Sequence, residues 1–464
     1  MRPVLLPMNA EAIAPIAWRA LAARIVAIAL PVIANNLLTV GMQITDAVLA
    51  GRLSPQTLAA VSVGGGVYVP FFLFALGILA ALSPTSAQLY GAGRLHDIGV
   101  AARDASWLAL VLAALLMSGF RFLDPLFRVA GINVALAPAA GAYVAALSWG
   151  LPAIFLYLVL RFASEGIGHT RPMLYVALAA FLVNIPLDYW FMFGGLGVPR
   201  LGAAGCGYAT ALAQWLALAV MLLYVRVCRR RYAPLRIFAP MRRPQFEGIA
   251  ALLRLGLPIG VMLFAEVGLF GAAALLMASF GTVTAAAHQV AVAVASFAFM
   301  VPMGLATAIS VVVGQAAGAG DPRNARRAGM VGIALSLGFE IASAILMFVL
   351  REPLARLFTA DPAVVALAAK LLALAAAFQL SDGLQVASAG ALRGLKDTRA
   401  PMFITLVAYW GSGFPLAWAF AFPLGLGPAG VWVGLIAGLT VAGVLLFLRY
   451  ARRSRPDAAA MIRA

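Results

Sequence analysis

Five carboxyl side chains, Asp46, Asp188, Glu266, Glu340 and Asp382, fall inside long apolar stretches of this 464-residue chain. Inserting an ionised Asp at the centre of a bilayer costs at least ~2.5 kcal/mol, so acids kept at such depth are candidates for function by default. The chemistry open to them is reversible cation binding: a proton, Na⁺ or an organic cation neutralises the charge, and release restores it. If the loaded and empty forms favour different helix arrangements, binding becomes a switch. Counted along each helix at about 1.5 Å per residue, Glu266 and Asp382 lie near the middle of their stretches in the second half of the chain. Asp46 and Asp188 lie in the outer parts of theirs in the first half, with Asn184 one helical turn before Asp188. Each half is thus expected to hold its own acidic site. Glu340 has an alternative role, pairing with Lys370 or Arg351.

Other chemistries find little support. Gly64-Gly65-Gly66 is not followed by Lys-Ser or Lys-Thr, so there is no phosphate-binding P-loop. His96, His169 and His288 are scattered, and only His288 falls in an apolar stretch, where a structural imidazole competes with a ligand role. Cys206 and Cys228 are spaced for neither a disulfide nor a shared metal. No cofactor is expected, and no metal besides a possible Na⁺.

The elements that must position the acids are membrane helices. Hydrophobic residues make up 64% of the chain, charged residues 11%, and the mean hydropathy is +0.99, whereas a soluble domain carries roughly 25% charged residues. Apolar runs long enough to cross a hydrocarbon core of about 30 Å recur along the chain. Spans are expected near 24–50, 57–82, 101–120, 134–160, 172–193, 203–228, 250–278, 284–316, 328–350, 363–392, 400–422 and 429–449. Of the 33 Lys and Arg, 26 fall in the termini and the even-numbered connections, 6 in the odd ones, and Lys370 near a span end. By the positive-inside rule both termini are cytoplasmic. The Arg-rich stretch from Arg226 to Arg254 is then an inner-face linker meeting anionic lipid rather than nucleic acid.

The chain also repeats itself at an offset of 227. Pro31 matches Pro258, Gly77 matches Gly304, Ser83 matches Ser310, and Gln88-Leu-Tyr-Gly-Ala-Gly93 matches Gln315-Ala-Ala-Gly-Ala-Gly320. Further on the offset drifts by a residue or two, with Thr170-Arg-Pro-Met173 against Thr398-Arg-Ala-Pro-Met402 and Pro186-Leu187 against Pro415-Leu416. Six spans per half is an even number, so the halves share one orientation. The expected fold is an all-α membrane protein of 12 transmembrane helices in two six-helix lobes, related by a pseudo-two-fold axis along the membrane normal. The expected division is a cytoplasmic segment 1–23, an N-lobe 24–228, a basic linker 229–249, a C-lobe 250–449 and a tail 450–464. Pro31, Pro258, Pro302 and Pro415 inside spans predict kinks, and two lobes about a central site suit alternating access.

These residues resemble the multidrug and toxic compound extrusion (MATE) family, in its bacterial NorM-type branch, from about Leu21 to Arg449. The match rests on Thr45-Asp-Ala-Val-Leu-Ala-Gly51, Gln88-Leu-Tyr-Gly-Ala-Gly-Arg94, Asn184-Ile-Pro-Leu-Asp188, Gly256-Leu-Pro258, Glu266-Val-Gly-Leu-Phe270, Ala286-Ala-His-Gln289, Asp382 with Gln385-Val386, and Leu392-Arg-Gly-Leu-Lys-Asp397. The resemblance implies an inner-membrane antiporter, not an enzyme, that exports cationic and amphipathic small molecules in exchange for Na⁺ or H⁺. It maps Glu266 and Asp382 to second-lobe cation-binding acids, Asp46 to a first-span coupling acid, and Asn184 and Asp188 to its polar neighbours. Gln289, Phe297 and Phe378 are its cavity candidates, and Phe378 stands where some relatives place a tyrosine. A monomer is expected. The alternative of the same fold is a flippase for lipid-linked oligosaccharide, whose cavity would be basic rather than acidic.

Overall fold

A computed structural model of the chain describes residues 16–129, 135–195, 197–240 and 244–455. Residues 1–15 of the expected N-terminal segment, Arg242 and Arg243 of the linker, and residues 456–464 of the tail lie outside the described residues. Backbone groups in hydrocarbon must be satisfied within their own segment, and the described chain is accordingly helical. In order, the helices are α1 (Trp18–Leu53), α2 (Pro55–Ala80), α3 (Leu82–Gly91), α4 (Leu95–Gly119), α5 (Asp124–Val129), α6 (Ala137–Ser148), α7 (Leu151–Gly166), α8 (Arg171–Phe193), α9 (Ala203–Val227) and α10 (Arg229–Tyr232). The second half continues with α11 (Phe246–Ala278), α12 (Thr282–Gly318), α13 (Pro322–Val349), α14 (Arg351–Arg356), α15 (Pro362–Gly394), α16 (Arg399–Leu406), a π-helical turn (Val407–Gly413), α17 (Phe414–Ala421) and α18 (Gly427–Arg453).

Local sequence explains the starts. Ser54 accepts a hydrogen bond from the Thr57 N–H ahead of Pro55, Asp321 does the same for Asn324 ahead of Pro322, and Asp361 caps Ala363 and Val364 ahead of Pro362. Among the described residues eleven helical stretches are long and apolar enough to cross a membrane, and α6 with α7, bent by 46°, makes a twelfth when the pair is counted as one span. The span expected as one run over 134–160 is therefore broken at Trp149-Gly150 and continues to Gly166. Helices also outrun their apolar windows: α1 begins at Trp18 rather than near 24, because amphipathic turns outside the hydrocarbon still satisfy their own hydrogen bonds. The span near 400–422 is not uniform, since Pro415 cannot donate a backbone hydrogen bond and the helix takes a π turn just before it.

Each half has its own apolar core, one built mainly from α2, α4, α6, α7 and α9, the other from α11, α12, α15 and α18. A third core joins them, with Leu21, Ile25 and Ile28 of α1 against Leu305, Ile309 and Val312 of α12 and Tyr450 of α18. The halves meet along a seam of glycines. Gly77 of α2 lies against Gly260 of α11, Gly256 against the Ile78 carbonyl, Gly304 of α12 against Ile33 of α1, and Gly314 against Ala87 of α3. Only residues without side chains let backbones approach this closely. The seam runs from the end of the bundle that carries Arg94, Arg171, Arg323 and Arg399, here called the basic end, to Phe71 and Phe264, whose rings sit 6.0 Å apart.

The connection between the halves is held to the first of them. Tyr232 is buried with its hydroxyl 2.9 Å from Ser164 Oγ, and Arg103 Nη1 of α4 donates to the Arg236 carbonyl at 2.7 Å. Gly99 leaves room beneath the Leu235 carbonyl, and Arg236 turns the chain at φ 50°.

Two buried acidic sites as the candidate functional site

In the first half, α1, α8 and α9 bring Asp46, Asp188 and Cys206 together. Their ligand atoms lie within 4.8 Å of one another and all three residues are buried. Packing of α1 on α8 is close, with the Phe181 ring against Gly41 one turn before Asp46. Thr210 stands beside Asp46, and Asn184, fully buried, beside Asp188. Among the described residues no partner meets either Asp188 oxygen or Oδ1 of Asp46 at hydrogen-bonding geometry, although Asn184, Cys206 and Thr210 lie close beside them. Around the pair, Tyr143 packs against Gly64, and the buried hydroxyl of Tyr68 is near Gln214.

In the second half, α11, α13 and α15 carry Glu266, Glu340 and Asp382. Asp382 is buried in the electrostatic field of both glutamates. Glu340 is fully buried, and Gly383 makes its presence possible, because any side chain there would strike the Glu340 methylenes. The alternative role of Glu340, pairing with Lys370 or Arg351, is not found: among the described residues both carboxyl oxygens lack a partner. The Gln379 amide, one turn before Asp382, is likewise buried and unpartnered. Arg393, in the last turn of α15, is the cation whose field reaches both Glu266 and Glu165.

Tyr409 completes this second site. It is buried on the π-helical turn, its hydroxyl has no partner among the described residues, and it lies in the fields of Glu266 and Asp382. A π turn adds a residue to the helix face and is a frequent mark of functional sites. Phe378, placed among the cavity candidates, is instead core: it is buried with its ring 6.0 Å from Phe270 and 5.8 Å from Trp432, edge-on to both. Large aromatics in such edge contacts contribute packing rather than a free surface. Gln289 and Phe297 are exposed on α12, eight residues apart and in neither acidic cluster. His288 packs edge-on against Trp432 at 5.7 Å.

Cys206 and Tyr409 were not singled out by sequence. Cys206 offers no signal beyond its glycine neighbours, but Gly411-Ser-Gly413 ahead of Pro415 could have marked the irregular turn.

At the basic end, His169 lies between α7 and α8. Its Nδ1 accepts from Arg231 Nη1 at 2.6 Å and its Nε2 is 3.0 Å from the Tyr224 hydroxyl. Burial first, and then the charges of Arg231 and Arg171, hold its pKa down to about 4, so the imidazole is neutral near pH 7.

The comparisons with known proteins agree with this duplicated geometry. The MatE family model matches twice, over residues 31–190 and 258–419, once in each half and again at an offset of 227. The chain belongs to the MatE family. A probable multidrug resistance protein NorM of Xanthomonas axonopodis pv. citri is 42% identical over 428 residues, 92% of this chain and 93% of that protein. The multidrug resistance protein PmpM of Pseudomonas aeruginosa is 40% identical over 433 residues, 92% of this chain and 91% of that protein. Among solved structures, an outward-facing multidrug resistance MATE transporter of the MOP superfamily superposes with a TM-score of 0.87 at 22% identity, over 95% of this chain and 97% of that one. The eukaryotic MATE transporter AtDTX14 gives 0.86 at 22%, over 95% and 99%. At that identity the MatE structures speak to the fold, an all-α membrane bundle in two six-helix lobes, which is the one expected. First and second halves are called N-lobe and C-lobe below.

Proposed function

We propose that this MatE chain is a secondary multidrug efflux antiporter that exports organic cations and amphipathic compounds across a bacterial inner membrane in exchange for H⁺ or Na⁺. The observation that carries this reading is the pair of acidic clusters, one in each lobe, buried except for the half-buried Glu266 and without an ion pair among the described residues. An ionised carboxylate at that depth without a partner is costly, so each cluster favours an occupied state in which a cation supplies the missing charge. Relatives named for multidrug resistance over nine-tenths of the chain support the export of drugs.

In this reading the basic end faces the cytoplasm, as the excess of Lys and Arg there requires. The seam contacts at the basic end then lie on the cytoplasmic side. Loading Asp46 and Asp188, or Glu266 and Asp382 with Tyr409, shifts the balance between lobe arrangements. One charge moving inward down 100 mV supplies ~2.3 kcal/mol to outward substrate movement. The chain works as a monomer, each copy holding both sites.

The test is efflux of a fluorescent organic cation from proteoliposomes under an imposed pH gradient or Na⁺ gradient, applied separately. Acceleration by one gradient establishes antiport and names the ion. No response to either, with the protein inserted, would overturn the reading.

A further inference from the structure

Two glutamines at matched positions of the repeat, Gln88 of the N-lobe and Gln315 of the C-lobe, each reach across the seam. Gln88 Nε2 donates to the Gly394 carbonyl at 2.9 Å, and Gln315 Nε2 donates to the Gly166 carbonyl at 2.7 Å. The acceptors are also equivalents, since Gly166 ends α7 and Gly394 ends α15 at an offset of 228. Each arm therefore caps the last carbonyl of a helix in the opposite lobe, a group with no partner inside its own helix.

The backbone obeys the same symmetry. A Cβ on Gly91 would collide with the Gln315 carbonyl, and one on Gly318 would collide with the Gln88 carbonyl, again at an offset of 227. Symmetry breaks at one point. Gln315 Oε1 also accepts from Arg24 Nη2 of α1, whereas the repeat places Ala251 where Arg24 would have its counterpart. Hydrogen bonds to a charged donor are the stronger kind.

We infer that Gln88 and Gln315 are positioning residues of the transport cycle, a reciprocal latch that holds the basic end shut, with Arg24 making the Gln315 arm the firmer one. Helix-end carbonyls suit this task, because water at an opened face takes over the bond that the glutamine releases. The latch rests on the reading that the lobes rock, but its test needs no substrate and no gradient.

The experiment uses the full chain in inside-out membrane vesicles with Cys228→Ser, the Cys206 signal being measured alone as the baseline. Ser310→Cys, buried just inside the seam, reports opening through its reaction with a membrane-impermeant thiosulfonate; Ser148→Cys, fully buried in the N-lobe away from the seam, reports loosening of the fold. Expected is labelling of position 310 faster by roughly ten-fold in Gln315→Ala, less in Gln88→Ala and most in the double variant, with position 148 silent; a roughly ten-fold gain corresponds to about 1.4 kcal/mol in the opening equilibrium. Unchanged labelling at 310 in the double variant, or Gln88→Ala exceeding Gln315→Ala, overturns the latch. Should position 148 react in a glutamine variant, Gly91→Ala, whose Cβ wedges the same contact, carries the test: faster labelling of position 310 with position 148 silent supports the latch, and unchanged labelling of position 310 overturns it. Because labelling is read without drug, loss of drug efflux with an intact labelling pattern counts against the transport reading and not against the latch.

Discussion

Asp46 on α1 and Asp188 on α8 present carboxylate oxygens within 4.8 Å of each other, with the Cys206 thiol in the same cluster. Two carboxylates so close cannot both stay ionised and empty at membrane depth without a cation between or upon them. Replacing either acid by Asn removes one of the two charges that hold that cation. Asp46→Asn and Asp188→Asn are each expected to lower gradient-driven efflux by roughly ten-fold or more, about 1.4 kcal/mol. The double variant should be little worse than either single one, since the residues act as a unit. Additive losses in proteoliposome efflux would show two independent sites.

In the C-lobe, Glu266→Gln and Asp382→Asn are expected to abolish coupled efflux while leaving membrane insertion intact. Tyr409→Phe deletes one unpartnered hydroxyl, and its expected cost is roughly ten-fold in cation dependence, read as a shift in the ion concentration giving half-maximal efflux. Phe378→Tyr, by contrast, puts a hydroxyl into an aromatic core and should lower thermal stability by about 1–3 kcal/mol. Normal cation dependence in Tyr409→Phe would remove that residue from the site.

His169 gives a pH prediction with a definite sign. Its pKa in the folded protein is held down to about 4, below the ordinary 6.5, so the unfolded chain binds more protons between those values. Stability is therefore full above pH 6.5 and falls as the pH drops toward 4. His169→Gln keeps an acceptor for Arg231 without titrating and should flatten that part of the profile. Melting curves in detergent from pH 4 to 8 provide the check; an unaltered slope in the variant would contradict the assignment.

Anchoring of the linker is also open to measurement. Arg103→Ala removes the donor to the Arg236 carbonyl and Tyr232→Phe the hydroxyl beside Ser164. Each is a modest loss of about 0.5–1.5 kcal/mol, and together they should raise tryptic cleavage at Arg229, Arg230 and Arg231 several-fold while helix content is unchanged. Equal cleavage rates in the double variant would mean that other contacts hold the segment.

Much of this architecture was legible in the sequence because it depends on one-dimensional quantities. Hydropathy marks a span wherever the hydrocarbon core fixes its length, and the match of Pro31 to Pro258 shows the duplication directly. Depth of an acid is also readable, since residue count converts to rise along a helix. Azimuth is not. That Cys206 turns toward Asp188, that Tyr409 turns toward Glu266, and that Phe378 turns into the C-lobe core all depend on helix rotation, which composition does not report and which, for Tyr409, the π turn changes. Glu340 illustrates the same limit: pairing with Lys370 or Arg351 was reasonable by depth toward the outer face, but Gly383 gives it space on a different face.

The glycine seam has a thermodynamic consequence for cycling. At Gly77, Gly260, Gly91 and Gly318 the lobes touch backbone to backbone, so closing these contacts freezes no rotamers, and the long polar side chains ordered across the seam are few, Gln88, Gln315 and Arg24, whereas each long side chain ordered at an interface forfeits up to about 2 kcal/mol of entropy. Backbone contacts without rotamers have one way to fit together and no search among alternatives. The closed face can thus be reached and left many times at little free-energy difference, which keeps the small work delivered by a single ion from being spent on reassembling the joint.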